Sequence, residues 1–127
     1  MPQVRSHSMK LAPAPFAMIA TGQKTIELRL FDEKRQKIRP GERIIFTNTE
    51  TGETLCATVT ALHRFESFAA LYQSLPLLRC GYTEADIAQA SPADMERYYS
   101  PEEQRRYGVV GIELQLCSSA DKAGLVP

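Results

Sequence analysis

The chain has 127 residues, of which 43% are apolar and 24% charged, a composition typical of one folded globular domain. Its 15 basic and 15 acidic residues cancel, so a globally basic character is excluded. No apolar run is long enough to cross a membrane, no secretory signal is expected, and no paired Cys or clustered His predicts a metal site. We therefore expect a cytoplasmic monomer without membrane, metal or cofactor, and free thiols at Cys56, Cys80 and Cys117.

The charges are unevenly distributed along the chain. Residues 23–43 carry seven cations against four anions, a net charge of +3, whereas residues 84–103 carry one cation against six anions, a net charge of −5. This asymmetry indicates a local anion-binding face, although two ordinary solvated surfaces explain it equally well. The acidic segment between Thr83 and Gln104 is also a candidate protein-interaction surface.

The first elements are short. Residues 1–8 are predicted to form an N-terminal arm, although the stretch from 7 to 11 also has the pattern of a strand. Residues 16–21 are predicted to be a helix, with Pro15 in its first turn and Gly22 as its left-handed end. The strand predicted over residues 24–30 then alternates: Ile26, Leu28 and Leu30 share a buried face, and the opposite face carries Thr25, Glu27 and Arg29.

The middle of the chain predicts a hairpin followed by helices. Residues 31–37 are a charged loop, residues 43–48 and 55–62 are strands, and residues 50–53 form the turn between them. Ser67 caps a helix that ends at Pro76. Three further helix starts, at Thr83, Ser91 and Ser100, each have an acidic residue three positions later.

A closing strand over residues 109–116 precedes a tail, residues 118–127, that is predicted to be disordered. Short strands with helices inserted between them do not fit a doubly wound parallel sheet. The sequence predicts an α+β, mainly β fold: a small barrel of five or six strands decorated by short helices.

The candidate site is the polar face of the strand at residues 24–30. Lys24 and Glu27 in a desolvated pocket form a plausible acid/base pair, and the planar fork of Arg29 suits a phosphate or carboxylate. Thr25 shares the face of Glu27 and Arg29, and the loop adds the cations Lys34 and Arg35. Lys24 has the parity of the apolar face, but at the strand entry, beside the end of a helix, its side chain is expected to lean over the polar face. The competing interpretation is an exposed strand face with routine ion pairs, which contribute little to stability.

Two adjacent aromatic residues, Tyr98 and Tyr99, end one of the predicted helices. Because they are neighbours, at most one of them faces the core. A tyrosine at the rim of a cleft stacks on nucleobases in single-strand-binding proteins, so both are candidate ligand-binding residues. The ordinary alternative is a tyrosine that covers the barrel with its hydroxyl in water.

The sequence around this strand resembles the ASCH domain family. The resemblance rests on residues 22–30 (Gly-Gln-Lys-Thr-Ile-Glu-Leu-Arg-Leu), on residues 32–38 and 41–46, and on the closing pattern at residues 94–95, 98–100 and 107–112. It extends over residues 9–117 and is closest to small bacterial single-domain members. It implies a PUA-like β-barrel with a cleft beside the helix that ends at Gly22, and RNA or a nucleotide-like ligand.

Some short members of this family resemble N4-acetylcytidine amidohydrolases, which use a Lys, a Thr and a Glu. Their lysine corresponds to Lys24 and their threonine position is occupied by Glu27, while Glu84 lies in the segment of their glutamate without being aligned to it. We therefore expect an RNA- or nucleotide-binding protein that holds an anionic ligand in a cationic cleft. The alternatives are a small hydrolase, amidohydrolase-like or ribonuclease, with Lys24 and Glu27 as its catalytic residues, and a protein-interaction module.

Overall fold

The computed structural model describes residues 4–117. Its strands are β1 (Ser6–Leu11), β2 (Ile26–Leu30), β3 (Arg43–Asn48), β4 (Thr54–Phe65) and β5 (Val109–Leu116). Its helices are α1 (Pro13–Ala20), α2 (Phe68–Ser74), α3 (Ala93–Glu96) and α4 (Pro101–Tyr107), with short 3-10 turns at Arg35–Lys37, Leu77–Arg79 and Ile87–Gln89. No helix in this part of the chain is long and apolar enough to cross a membrane.

The strands form one curled sheet in the order β1-β3-β4-β5-β2. Only the β1–β3 pair is parallel, and the other three pairs are antiparallel. The sheet is a half-barrel whose edges are β1 and β2, and the helices lie in the connections between strands. The prediction of a mainly β α+β fold of the PUA-like type with five or six strands is confirmed, and the sheet has five.

Two apolar clusters stabilise this sheet. The larger lies between α1 and strands β1, β3, β4 and β5, with fully buried Ile44, Phe46 and Ile112 at its centre. The smaller packs the apolar face of β2 against Phe68 and Leu71 of α2. The predicted inward face of β2 is confirmed, because all three of its residues are buried. The prediction of a single buried side is wrong, because Glu27 on the opposite face is buried too. This packing fixes which face of β2 is left for polar side chains.

The largest departures from the predicted elements lie at the N-terminus and in residues 76–100. Strand β1 begins at Ser6, so the end of the predicted arm belongs to the sheet. Helix α1 begins three residues earlier than predicted, at Pro13. Of the three predicted reciprocal caps, only Ser100 forms the complete one, with Glu103. The predicted disordered tail lies outside the described residues.

The prediction of three free thiols is wrong, because Cys56 and Cys117 form a disulfide. Strands β4 and β5 pair so that Ala57 lies opposite Leu116, and the next pair in the antiparallel register is Cys56 with Cys117. Their Cα atoms are 5.5 Å apart, a separation that a disulfide spans without backbone movement. Cys80 is free and buried, and burial raises the pKa of its thiol to about 11.

Candidate functional site

A cavity of about 560 Å³ opens between the edge strands of the sheet and the connection after α2. One part of its lining comes from β1, α1 and β2, and the rest comes from residues 72–99. The polar and aromatic residues that line it are Lys10, Lys24, Glu27, Arg29, Tyr72, Tyr82, Asp94, Arg97, Tyr98 and Tyr99. A volume of this size is typical of small-molecule sites.

Local backbone structure brings Lys24 to this cavity. Gly22, two residues after the end of α1, adopts a φ of 83°, in the left-handed region that glycine enters at little cost. The turn is then fixed by hydrogen bonds from Lys24 N to Met18 O at 3.0 Å and from Thr25 N to Arg79 O at 2.8 Å. Strand β2 begins at Ile26, one residue after Thr25. Its pairing with β5 holds Glu27 and Arg29 in a fixed register.

Lys24, Glu27 and Arg29 form a charged triad. Lys24 Nζ lies 2.7 Å from Glu27 Oε1, and Arg29 Nε lies 2.7 Å from Glu27 Oε2, so both carboxylate oxygens are engaged. The triad carries a net charge of +1. Glu27 is only 4% exposed, which makes the alternative of an exposed strand face wrong. A buried carboxylate of this kind depends on its partners, because an unpaired buried charge costs several kcal/mol (about 3–5).

The protonation states of the triad follow from its geometry. Burial acts to raise the pKa of Glu27, but the charges of Lys24 and Arg29 and their hydrogen bonds outweigh it, so this pKa lies below its ordinary value. Burial acts to lower the pKa of Arg29, and the adjacent Glu27 carboxylate outweighs it, so that pKa is raised. The carboxylate is therefore ionised and the guanidinium charged at neutral pH.

Arg29 also joins the two edges of the sheet. Its Nη2 donates a hydrogen bond to the backbone oxygen of Lys10 in β1 at 2.9 Å, while its Nε is bonded to Glu27 in β2. Among residues 4–117, β1 and β2 do not pair with each other. The Arg29 guanidinium therefore spans the gap in the half-barrel at the cavity.

Not every predicted site residue lies in the cavity. The Thr25 hydroxyl instead accepts a hydrogen bond from Arg79 Nε at 2.8 Å, on a neighbouring surface. Arg35 pairs with Asp32 at 3.2 Å, and Lys34 is exposed; neither lines the cavity. The structure thus brings together Lys24, Glu27, Arg29, Tyr98 and Tyr99 of the predicted set and leaves Thr25, Lys34 and Arg35 outside it.

The two adjacent tyrosines divide as predicted between an exposed and a packed position. Tyr98 is 66% exposed at the cavity. Tyr99 is half-buried and stacks on Phe68, with ring centroids 5.8 Å apart and an interplanar angle of 20°. Burial raises the pKa of Tyr99. Tyr99 is thus anchored in the core, and the exposed Tyr98 ring lies beside it, with ring centroids 6.4 Å apart.

Sequence reasoning missed five polar residues of the cavity: Lys10, Tyr72, Tyr82, Asp94 and Arg97. Tyr72 follows Phe68 by four positions on the apolar face of α2, which signals core packing. The position of Asp94, three residues after Ser91, predicts a helix cap, and the Asp94 carboxylate does accept a hydrogen bond from Ser91 N at 3.2 Å. Glu84 is exposed and does not line the cavity. No group of metal-ligating side chains suited to an ion occurs within residues 4–117.

A family model and several solved structures match most of this chain. The family model of the ASCH domain matches residues 9–118. The crystal structure of a hypothetical protein, PH0355, is 30% identical, with a TM-score of 0.74 over 88% of this chain and 99% of that one. The solution structure of PF0455 from Pyrococcus furiosus is also 30% identical, with a TM-score of 0.69 over 89% of this chain and 98% of that one.

A more distant match confirms the fold alone. The crystal structure of ASCH from Zymomonas mobilis is 16% identical, with a TM-score of 0.60 over 87% of this chain and 67% of that one. No curated protein matches this chain.

Proposed function

The chain belongs to the ASCH domain family, and from that premise we propose that it binds a nucleotide, free or within single-stranded RNA, in the cavity above the charged triad. The observation that carries this proposal is the pair of cations, Lys24 and Arg29, held on one buried carboxylate in a cavity lined by tyrosines. In this proposal the cations bind the anionic oxygens of the ligand, and the aromatic residues contact its base.

The triad retains hydrogen-bond donors for a ligand. The Lys24 ammonium has three N–H groups, and its contact with Glu27 uses one of them. The Arg29 guanidinium has five, of which the bonds to Glu27 and to Lys10 O use two. Charge-assisted hydrogen bonds from such groups to phosphate are among the stronger ones in proteins. Because Glu27 fixes both cations in advance, little ordering is required when a ligand binds.

The aromatic lining suits a base. Tyr98 exposes a ring at the cavity, and stacking of a base on such a ring contributes about 1–3 kcal/mol. Tyr99 and its partner Phe68 support this part of the lining from within. The ligand class expected from the family therefore agrees with the chemistry of the side chains.

Binding is favoured here over hydrolysis. A general base needs a free oxygen and a pKa near the working pH. Both oxygens of Glu27 are bonded to cations, and the pKa of Glu27 is lowered. Glu27 thus fits the role of a positioning residue for Lys24 and Arg29. Amidohydrolase or ribonuclease activity stays a prediction.

The test is a titration of the purified protein with nucleoside 5′-monophosphates and with a short single-stranded RNA at two salt concentrations. Lys24→Met is expected to weaken binding about tenfold or more, because it removes a charged hydrogen-bond donor. It should also lower the salt dependence of RNA binding by about one unit if Lys24 contacts phosphate. The matched control is Lys34→Met, since Lys34 is exposed and lies outside the cavity.

The outcomes separate the hypotheses. A folded Lys24→Met protein with full affinity would contradict the proposed site, and equal losses in both lysine variants would indicate a diffuse electrostatic surface. Mass spectrometry of the same mixtures, with N4-acetylcytidine added, tests hydrolysis directly. A product formed by wild type and absent with Lys24→Met would support the hydrolase instead.

A further inference from the structure

The cavity contains a second set of polar side chains that the proposed function has not used. Tyr72 of α2 and Tyr82 have hydroxyl oxygens 2.7 Å apart, and the Tyr82 hydroxyl donates to Asp94 Oδ2 of α3 at 2.6 Å. All three residues line the cavity together with the charged triad. We call Tyr72, Tyr82 and Asp94 the acceptor relay, because both ends of this chain of hydrogen bonds offer acceptors to a ligand.

The direction of the hydrogen bonds in the relay follows from counting protons. Each phenol has one proton, and the proton of Tyr82 is donated to Asp94. The bond between the two hydroxyls must then use the proton of Tyr72. This leaves the Tyr72 oxygen with lone pairs only. Asp94 Oδ1, which receives no hydrogen bond from residues 4–117, likewise has only lone pairs to offer.

The ionisation of the three groups supports this count. Burial raises the pKa values of Tyr72 and Tyr82, so both phenols keep their protons at neutral pH. The hydrogen bond from Tyr82 and that from the Ser91 backbone lower the pKa of Asp94, which is therefore ionised. Arg97, the nearby cation, is exposed and forms no ion pair with Asp94 within the described chain.

The cavity thus offers two complementary chemistries. Lys24 and Arg29 have N–H donors to offer, whereas the acceptor relay has oxygen acceptors. A well-matched ligand brings oxygen acceptors to the triad and N–H donors to the relay. Building on the proposed nucleotide binding, we propose that the acceptor relay makes the cavity select nucleobases that carry an exocyclic amino group over bases that carry an oxo group at the same position.

The physical cause of the selectivity is the match between hydrogen-bond donors of the base and acceptors of the relay. An exocyclic amino group has two N–H donors, which the Tyr72 oxygen and Asp94 Oδ1 accept. A base with a carbonyl oxygen at that position places an acceptor against the Asp94 carboxylate, and both groups then lose water without gaining a bond. A hydrogen bond to a charged group corresponds to about a 10- to 100-fold difference in affinity, and repulsion of the wrong base adds to the discrimination.

The experiment compares ligands that differ in this one group. Cytidine monophosphate is compared with uridine monophosphate, and adenosine monophosphate with inosine monophosphate, by calorimetric titration of the wild-type protein. We expect the amino-bearing member of at least one pair to bind about tenfold or more tightly. Asp94→Asn should reduce this ratio to about one, because one carboxylate oxygen becomes an NH2 donor.

The control variant is Asp86→Asn. Asp86 also accepts a hydrogen bond from a backbone N–H three residues before it, that of Thr83, but it is exposed and outside the cavity. It should leave the ratio unchanged. If Asp94→Asn fails to fold, Tyr72→Phe serves the same purpose, because it removes the oxygen at the end of the relay and is expected to reduce the ratio.

The possible failures are distinguishable. If no monophosphate and no RNA binds the wild-type protein, the proposed function itself is contradicted. If nucleotides bind and depend on Lys24, but both members of each pair bind equally, nucleotide binding stands and the selectivity is overturned. A ratio that persists in both folded Asp94→Asn and Tyr72→Phe proteins would likewise overturn the role of the relay.

Discussion

The charged triad and the acceptor relay line the same cavity but are supported in different ways. The triad is built on β2 and its entry, where Glu27 is 4% exposed and the polar atoms are fixed by strand register. The relay comes from residues 72–94, a connection of short helices and 3-10 turns, and Asp94 is half-buried. The triad is therefore coupled to folding more strongly than the relay is.

This difference follows from what happens when one partner is removed. Loss of one member of the triad leaves a charge with little access to water, which is strongly destabilising. Loss of one member of the relay leaves groups that water can reach at the open cavity, so the cost is that of an ordinary hydrogen bond. Of the two regions, the triad is the one whose disruption is expected to destabilise the fold strongly, and base selectivity is proposed to lie in the relay.

The largest expected effect is that of Glu27→Gln. The amide cannot neutralise Lys24 and Arg29, whose side chains are only 11% and 15% exposed. We expect the free energy of unfolding to fall by about 3–5 kcal/mol, measured by urea denaturation at neutral pH. The matched control is Glu33→Gln on the exposed loop, which should change it by less than about 0.5 kcal/mol. Equal denaturation midpoints for Glu27→Gln and wild type would contradict the coupling of the triad to folding.

Removal of the disulfide is expected to cause a stability loss of similar size outside the cavity. The disulfide between Cys56 and Cys117 spans 61 residues, and closing a loop of that length contributes about 4 kcal/mol in the chain-entropy treatment. We expect the double variant Cys56→Ala/Cys117→Ala to lose most of this stability while nucleotide affinity stays within about twofold, since neither residue lines the cavity. An affinity loss as large as that of Lys24→Met would show that binding depends on stability in general.

The pH dependence separates the two regions further. The folded-state pKa of Glu27 lies below the value of 4.5 that the unfolded chain has. Its contribution to stability is therefore fully present above about pH 4.5 and is lost as the pH falls through the lowered folded-state value. The difference in unfolding free energy between wild type and Glu27→Gln should narrow between pH 7 and pH 3. A constant difference across this range would mean that folding does not lower the pKa of Glu27.

The parts of the fold that were predictable are those with a simple period. The alternation in β2 identified its buried face correctly because one side packs on α2. It also placed Glu27 and Arg29 on one face, whereas Lys24 has the parity of the opposite face and reaches Glu27 from the turn before β2. The burial of Glu27 was not predictable, because the cavity around it is partly formed by residues 72–99, which are distant in sequence.

The acceptor relay and the disulfide were missed for a related reason. Tyr72 and Tyr82, and Tyr82 and Asp94, lie 10 and 12 residues apart, across 3-10 turns that have no hydrophobic period to detect. Cys56 and Cys117 face each other only because β4 and β5 pair in one particular register. Contacts between distant residues, whether in irregular segments or across paired strands, are not encoded in any local pattern.

The smallest expected effect is that of Tyr82→Phe, which removes the central hydroxyl of the relay. Its two hydrogen bonds, to Tyr72 and to Asp94, are lost, but the ring keeps its edge-on contact with Tyr72. We expect the free energy of unfolding to fall by about 1 kcal/mol, against at most about 0.5 kcal/mol for the control Tyr98→Phe at an exposed position. Because the Tyr72 proton is then free to point into the cavity, the proposed preference for amino-bearing bases should also weaken. A loss as large as that of Glu27→Gln would contradict the distinction between the two regions, since the relay would then be as strongly coupled to folding as the triad.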